Sequence, residues 1–181
     1  MADARPSEVI FIGGRSGVGK TSVALQASRV LADEGIRHAV IEGDNLDQAY
    51  PEPWRAGLAL AERNLAAMWR NYRDAGYSRL IFTNTVSILE IPALLSALGG
   101  AVRPFAVLLT ASHQTAAERL ARREVGTALE EHIERSRRAA QTLDADRTAH
   151  RVATDGRDVE DIAHEVLSAA GWLDSPPSRG R

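Results

Sequence analysis

The sequence contains no cysteine, only one lysine and no apolar run long enough to cross a membrane. Without cysteine, thiol catalysis and zinc sites built on thiolates are excluded. The first residues lack the apolar core of a secretory signal. The net charge is −2 and acidic and basic residues are interleaved, so nothing indicates a general nucleic-acid surface. We therefore expect a cytoplasmic protein with no membrane partner and no nucleic-acid partner.

A chain of 181 residues is typical of one domain, which buries roughly 70% of the surface that its unfolded form exposes. We predict that this domain spans residues 1–172. Residues 173–181 contain turn formers and no apolar anchor, which predicts a disordered C-terminal tail. The five histidines lie far apart without metal-ligand spacing, so no histidine metal site is expected. Monomer and homodimer both stay open.

The single lysine lies in a phosphate-binding motif, the phosphate loop. Residues 14–21 read GRSGVGKT, a full match to the pattern G-x-x-x-x-G-K-[ST]. The glycines allow backbone N–H groups to turn toward a phosphate chain, and the compact ammonium of Lys20 reaches oxygens that a wide guanidinium would not. Thr21 supplies a hydroxyl for Mg²⁺. An apolar strand before the motif and an amphipathic helix after it favour a nucleoside triphosphate site over a chance match.

Strand and helix patterns alternate along the chain, which predicts an α/β fold with a parallel sheet covered on both faces. The predicted strands are residues 9–13, 38–42, 79–83, 104–109 and 151–154. The predicted helices are the one that leaves the motif and stops at Gly35, then residues 54–75, 91–98, 112–143 with an interruption at 125–127, and 159–170.

Three polar segments follow strands and are expected at one edge of the sheet, where ligands collect in such folds. They are the phosphate loop, Asp44-Asn45 and Thr83-Asn84-Thr85. Phosphoryl transfer needs a carboxylate near the attacking hydroxyl. We predict that Asp44 is this carboxylate, because it lies beyond the end of its strand and nearer the phosphates than Glu42. The alternative is a polar turn in which Asp44 caps a backbone N–H.

Three arginines, Arg119, Arg122 and Arg123, have helical spacing, so at least two of them point the same way. They precede Gly126, and arginines ahead of a flexible break are typical of a lid that closes over phosphates. We predict a lid over about residues 119–135 and favour Arg119 and Arg123 as its arginines. The alternative is a solvated arginine face.

The tryptophans Trp54, Trp69 and Trp172 are predicted to lie in the core. Because Trp54 follows Asp44 closely, its alternative place is the wall of an acceptor pocket. Both alternatives stay open at this point.

With these features, the chain resembles the small phosphate-loop kinases of metabolites and antibiotics, which include adenylylsulfate, gluconate and shikimate kinases and chloramphenicol phosphotransferase. The resemblance spans about residues 9–170. It implies a three-layer P-loop NTPase fold with a five-stranded parallel sheet in the order 2-3-1-4-5 and a small helical lid. It also implies ATP and Mg²⁺ as cofactors.

Particular residues carry this resemblance. Residues 41–45, IEGDN, look like the Asp-Gly-Asp-Asn stretch of adenylylsulfate kinases, which implies a base or Mg²⁺-organising role for Asp44. Arg119-Leu120 with Arg123 is similar to the lid arginines of the gluconate kinase type, which implies contacts to adenine or phosphates. Residues 154–157, TDGR, look like the loop that passes the adenine ring. The chain departs from the adenylylsulfate kinase pattern at Leu46-Asp47, where an arginine is usual, and this argues against adenylylsulfate as the acceptor.

The predicted function is transfer of the γ-phosphoryl group of ATP to a hydroxyl of a small molecule, a metabolite or an antibiotic. A regulatory ATP-binding or ATPase module and a nucleoside or nucleotide kinase are the alternatives. A guanine-specific switch is excluded, since its Asn-Lys-x-Asp motif needs a second lysine. The predicted catalytic residues are Lys20, Asp44 and Arg123, and the predicted metal ligands are Thr21 and Asp44. The predicted cofactor-binding residues are Gly14, Arg15, Ser16, Gly17, Val18, Gly19, Lys20, Thr21, Ser22, Arg119, Asp155 and Gly156.

Overall fold

A parallel sheet of five strands forms the centre of the molecule in the computed structural model, which describes residues 6–122 and 127–173. The strand order is β2-β3-β1-β4-β5, which confirms the predicted order and fold class. The strands are β1 Ser7–Gly13, β2 Ala39–Glu42, β3 Arg79–Thr83, β4 Val102–Thr110 and β5 His150–Ala153. Their ends differ from the predicted ends by at most two residues.

Helices cover both faces of this sheet, as expected for a parallel sheet. The α-helices are α1 Lys20–Asp33, α2 Leu60–Asp74, α3 Ile91–Leu98, α4 His113–Ala121, α5 Thr127–Asp144 and α6 Val159–Ala169. Short 3₁₀ turns lie at Gly43–Asn45, Pro53–Ala56 and Ser87–Leu89. Among the residues that the structure describes, no helix combines the length and apolar character needed to span a bilayer.

Side chains that alternate along β1 enter two different cores. Ile10 and Ile12 pack with the buried side chains of α1 and α6, whereas Val9 and Phe11 pack with those of α2 and α3. This alternation follows from the two-residue period of an extended strand. Because both faces are covered, the central strands read as almost continuous apolar runs in the sequence.

The helix predicted at residues 54–75 begins later, at Leu60. Residues 53–56 form a separate 3₁₀ turn that ends at Gly57, whose φ of 69° is left-handed and stops the helical path. Trp54 is 60% exposed, so its predicted place in the core is wrong. The guanidinium of Arg55 lies 4.9 Å from the centre of the Trp54 ring instead. The other two tryptophans are buried, as predicted.

The helix predicted at residues 112–143 is divided, as expected, into α4 and α5. The predicted interruption at 125–127 falls mainly on residues 123–126, which lie outside the described residues, and α4 already ends at Ala121. The predicted tail also lies outside them, except for Leu173, which packs against the core that contains α1 and α6. The predicted disorder of the tail stays a prediction.

Candidate active site

The three polar segments predicted at one edge of the sheet do lie together. The backbone N–H of Gly14 donates a hydrogen bond to the carbonyl oxygen of Thr85 at 3.2 Å. A Cβ placed on Gly43 would lie 2.9 Å from the carbonyl oxygen of Thr83 and 3.1 Å from the Cβ of Asn84. The phosphate loop and the segments that follow β2 and β3 therefore form one surface at the carboxyl ends of the strands.

The phosphate loop joins β1 to α1 and requires glycine at defined positions. Gly14, Gly17 and Gly19 have φ of 147°, 86° and 101°, values that residues with a Cβ rarely adopt. A Cβ on Gly17 would lie 2.5 Å from the carbonyl oxygen of Ala116, and one on Gly14 would lie 2.7 Å from that of Leu109. The loop is thus held tightly against α4 and β4.

At Gly19 the loop is open, because a Cβ there would meet no atom within 4 Å. Gly19 is the N-cap of α1 and has no side chain that could accept hydrogen bonds from the N–H groups of the first helical turn. The N–H groups of a first helical turn and the positive end of the helix dipole favour an anion at this point. This arrangement suits the phosphate group that the sequence motif predicts.

Lys20 lies back across the loop. Its Nζ donates hydrogen bonds to the carbonyl oxygens of Gly14 at 2.8 Å and Arg15 at 3.4 Å. These contacts hold the ammonium against the loop.

Thr21 is paired with the last residue of β2. Its hydroxyl donates a hydrogen bond to Oε1 of Glu42 at 2.6 Å. Glu42 is opposite Thr83 in the register of β2 and β3, so the carboxylate extends from the end of the sheet toward α1. The structure therefore brings Thr21 together with Glu42, and the joint role of Thr21 and Asp44 as metal ligands stays a prediction.

Asp44 is exposed in the 3₁₀ turn after β2. Within the described residues, its carboxylate receives no hydrogen bond, so the alternative of a backbone cap is not supported. Its predicted catalytic and metal-binding roles stay predictions. Asp44 and Glu42 point in different directions because β2 ends at Glu42 and a turn follows. Residues two apart share a face only while the strand continues.

The pair of Thr21 and Glu42 fits Mg²⁺ in its chemistry, because both side chains offer oxygen and this ion prefers oxygen ligands. In the described part of the chain, no group of three or more acidic or histidine side chains is placed to hold a metal. Mg²⁺ commonly keeps several waters and phosphate oxygens beside one or two protein ligands, so two side chains suffice. The signal for Glu42 in the sequence was its position as the last residue of a strand.

Arg119 connects the phosphate loop to the end of β5. Its Nη1 donates to the carbonyl oxygens of Val18 at 3.1 Å and Gly17 at 3.4 Å and to Oγ1 of Thr154 at 3.0 Å. Its Nη2 donates to the carbonyl oxygen of Thr154 at 3.0 Å. Arg119 is therefore held by two loop carbonyls and by Thr154, and its role as a lid arginine stays a prediction.

A cavity of about 280 Å³ lies beside the loop and α1. It has apolar walls from α1 and α6 and basic side chains at its rim, a combination that suits a nucleoside with a phosphate. Arg122 reaches this cavity, although the sequence favoured its neighbours, and Arg123 lies outside the described residues. The lining residues are Val18, Gly19, Ser22, Val23, Arg119, Arg122, Thr154, Arg157, Val159 and Ile162.

The predicted cofactor residues Asp155 and Gly156 follow β5 but are not among the residues that line this cavity. Both carboxylate oxygens of Asp155 accept a hydrogen bond from the backbone N–H of Ser112 at 3.0 Å. Hydrogen bonds from Thr115 and Ser112 lower the pKa of Asp155. Gly156 has a left-handed φ of 63° in the turn that follows. Asp155 thus ties the turn after β5 to the start of α4.

The side chain of Arg15 points away from the open side of the loop and is only 5% exposed. Its Nε donates to Oγ of Ser136 at 2.9 Å, and its Nη2 lies 3.3 Å from Nδ1 of His113. Burial lowers the pKa of Arg15, and the charge of Asp144 acts in the opposite direction. Only the main chain of Arg15 is therefore placed to contact a phosphate.

A family model described as adenylylsulphate kinase matches residues 6–64, about a third of the chain. This segment contains the phosphate loop, α1, β2 and the pair of Thr21 and Glu42. A comparison with curated protein sequences finds no match.

Solved structures with the same fold include a gluconokinase from Sinorhizobium meliloti 1021, with 20% identity, a TM-score of 0.58 and 92% of each chain covered. The Deinococcus radiodurans tunicamycin resistance protein has 22% identity and a TM-score of 0.64, with 94% of this chain and 99% of that chain covered. The Mycobacterium tuberculosis adenylylsulphate kinase, in complex with AMPPNP and APS, has 21% identity and a TM-score of 0.53, with 90% and 96% covered. The resemblance found in the sequence is confirmed: the chain has the fold of the P-loop kinase superfamily.

Proposed function

We propose that the protein transfers the γ-phosphoryl group of ATP to a hydroxyl of a small molecule. The observation that carries this proposal is the hydrogen bond from Thr21 to Glu42, which places a carboxylate beside the threonine of the phosphate loop. A metal-bound triphosphate needs oxygen ligands at this place. Relatives in structure named as a gluconokinase, an adenylylsulphate kinase and a shikimate kinase support this class of reaction.

Lys20 and the loop amides would bind the triphosphate. The ammonium of Lys20 offsets negative charge on the phosphates, and the N–H groups at the start of α1 donate hydrogen bonds to phosphate oxygens. Thr21 and Glu42 would hold Mg²⁺. When bound, Mg²⁺ neutralises charge on the β and γ phosphates. The cavity beside Gly19 would receive the nucleoside.

Asp44 would act on the acceptor. It lies two residues after Glu42 at the same edge of the sheet, and its exposed carboxylate is accessible to a substrate hydroxyl. In the transfer, the hydroxyl proton moves to the carboxylate of Asp44 as the hydroxyl oxygen forms a bond to the γ phosphorus. The bond from that phosphorus to the bridging oxygen breaks, and ADP leaves.

Three carboxylates, those of Glu90, Glu62 and Asp47, lie near one another on the side of the site where we propose that the acceptor binds. Glu90 is an exposed residue, and partial desolvation, with the nearby charges of Glu62 and Asp47, raises its pKa. Asn64 of α2 donates a hydrogen bond to the carbonyl oxygen of Leu46 at 2.6 Å, so α2 lies against the segment after β2. The charge of these carboxylates would disfavour an anionic acceptor group placed beside them.

The test has two steps. Calorimetry with ATP in magnesium buffer should detect binding by the wild-type protein and none by the Lys20→Ala variant, because that variant lacks the loop ammonium. Release of ADP is then measured across a panel of hydroxylated metabolites and antibiotics. Turnover should be slow without an acceptor and rise strongly with the correct one.

Two results would overturn the proposal. One is the absence of any ATP binding in magnesium buffer. The other is steady ATP hydrolysis that responds to no hydroxyl compound, which is the behaviour of a regulatory ATPase module.

A further inference from the structure

A buried hydroxyl on α5 contacts the phosphate loop from outside. Ser136 is only 2% exposed, and its hydroxyl acts both as a hydrogen-bond acceptor and as a donor. Its Oγ accepts a hydrogen bond from Nε of Arg15 at 2.9 Å and donates one to the carbonyl oxygen of Ser16 at 2.8 Å. The loop is thereby joined to a helix more than 100 residues further along the chain.

This contact determines which way a loop amide points. The peptide bond between Ser16 and Gly17 is trans, so its carbonyl and its N–H point in opposite directions. Because Ser136 holds the carbonyl of Ser16 outward, the N–H of Gly17 is turned toward the inner side of the loop. This is the side on which a phosphate chain would lie.

Arg119 has the same effect one step further along. Its Nη1 holds the carbonyl of Val18 from outside, at 3.1 Å, so the N–H of Gly19 is turned inward. Two side chains from α4 and α5 therefore orient two donors of the loop, and neither of these side chains needs to contact the phosphates.

Arg15 determines where the hydroxyl proton of Ser136 points. The guanidinium can only donate, so its Nε–H occupies a lone pair of Oγ, and the hydroxyl proton is left for the carbonyl of Ser16. A buried hydroxyl with both roles satisfied has little freedom to rotate.

We propose that Ser136 is a positioning residue that orients the Gly17 amide for the β and γ phosphates of ATP. This inference rests on the proposed function, in which the phosphate loop binds ATP. It predicts that loss of the hydroxyl weakens binding of the triphosphate tail and leaves binding of the nucleoside part unchanged.

The test compares ATP with AMP, which lacks the β and γ phosphates. In the Ser136→Ala variant, the affinity for ATP measured by calorimetry should fall about tenfold, as expected for one hydrogen bond to a charged group, and the affinity for AMP should not change. Ser136→Thr keeps the hydroxyl and should restore part of the affinity for ATP. Thr142→Ala is the control, since the hydroxyl of this exposed residue on the same helix donates, within the described residues, to the carbonyl of Arg138 and not to the loop.

Equal losses for ATP and AMP, or no loss for ATP, would overturn the inference while leaving the proposed function intact. If the wild-type protein bound no ATP, the proposed function would fail as well. Should Ser136→Ala not fold, the same comparison is made with Arg15→Gln, which leaves the hydroxyl of Ser136 without its donor. Unchanged ATP affinity in that variant would also contradict the inference.

Discussion

The hydroxyl of Thr21 donates a hydrogen bond to Oε1 of Glu42, 2.6 Å away, and this contact connects the start of α1 to the end of β2. This contact involves only one of two carboxylates that are close in sequence. Glu42 lies beside the proposed metal position, whereas Asp44 is exposed in the next turn. Different effects are therefore expected when each is changed.

Replacement of Glu42 by glutamine should raise the magnesium concentration needed for half-maximal activity. An amide oxygen keeps the size of the side chain but carries no negative charge, so it binds a hard cation less strongly. The measurement is a magnesium titration of turnover at saturating ATP. An unchanged titration curve would show that Glu42 is not a metal ligand.

Asp44→Asn should lower turnover by at least about a hundredfold, as loss of a general base can, and leave ATP affinity near normal. Steady-state rates with the true acceptor and calorimetry with ATP measure the two quantities. If the variant kept full activity, Asp44 would have no role beyond its place in the turn.

Arg119→Ala should destabilise the fold and weaken ATP binding together. Its removal leaves the carbonyl oxygens of Val18 and buried Thr154 without their donor, which costs about 2 kcal/mol. Chemical denaturation gives the free energy of unfolding. Arg122→Ala, three residues further along, is the control. Because Arg122 is exposed, its loss should change the free energy of unfolding by no more than about 0.5 kcal/mol. Equal stabilities of both variants would contradict the bridging role of Arg119.

Gly17→Ala should abolish ATP binding and lower the melting temperature. The new Cβ would lie 2.5 Å from the backbone oxygen of Ala116, in addition to the strain of a φ of 86°. Gly35→Ala, at φ 66° with no atom within 4 Å, has the strain alone and should cost about 1 kcal/mol while keeping ATP binding. Thermal unfolding and calorimetry on the two variants separate steric contact from backbone strain. Normal ATP binding by Gly17→Ala would mean that the loop can move away from α4.

Glu90→Gln should raise the melting temperature at neutral pH and have no effect below the ordinary glutamate pKa of 4.5. Glu90 is exposed, but partial desolvation and the charges of Glu62 and Asp47 raise its pKa in the folded protein. Because this pKa is raised by folding, the contribution of Glu90 to the free energy of unfolding is fully present below the pKa of the unfolded state. It is lost as the pH rises through the pKa of the folded state, and the glutamine variant avoids this loss.

Melting curves measured as a function of pH test this prediction. Glu34→Gln, a change of the same charge at the exposed end of α1, is the control and should not show the same pH dependence. A gain for Glu90→Gln that persisted at acid pH would have to come from packing.

Local patterns in the sequence predicted most of the fold. The strands were readable from short apolar segments, since a parallel sheet covered on both faces requires them. The helix predicted from residue 54 failed at Gly57, because its left-handed φ is not visible in a pattern of apolar residues. Arg15 was assigned to the cofactor as part of the motif, and the structure shows its side chain turned to Ser136.

The sequence alone determined the phosphate loop, because each of its requirements is local: glycine where φ is positive, one lysine, and a strand and a helix on either side. The tertiary structure decided which side chains meet around that loop. The pairing of Thr21 with Glu42 depends on the register of β2 and β3, and the contacts of Arg119 and Ser136 depend on how α4 and α5 pack. Such contacts join residues far apart in the chain, so only the packed fold determines them.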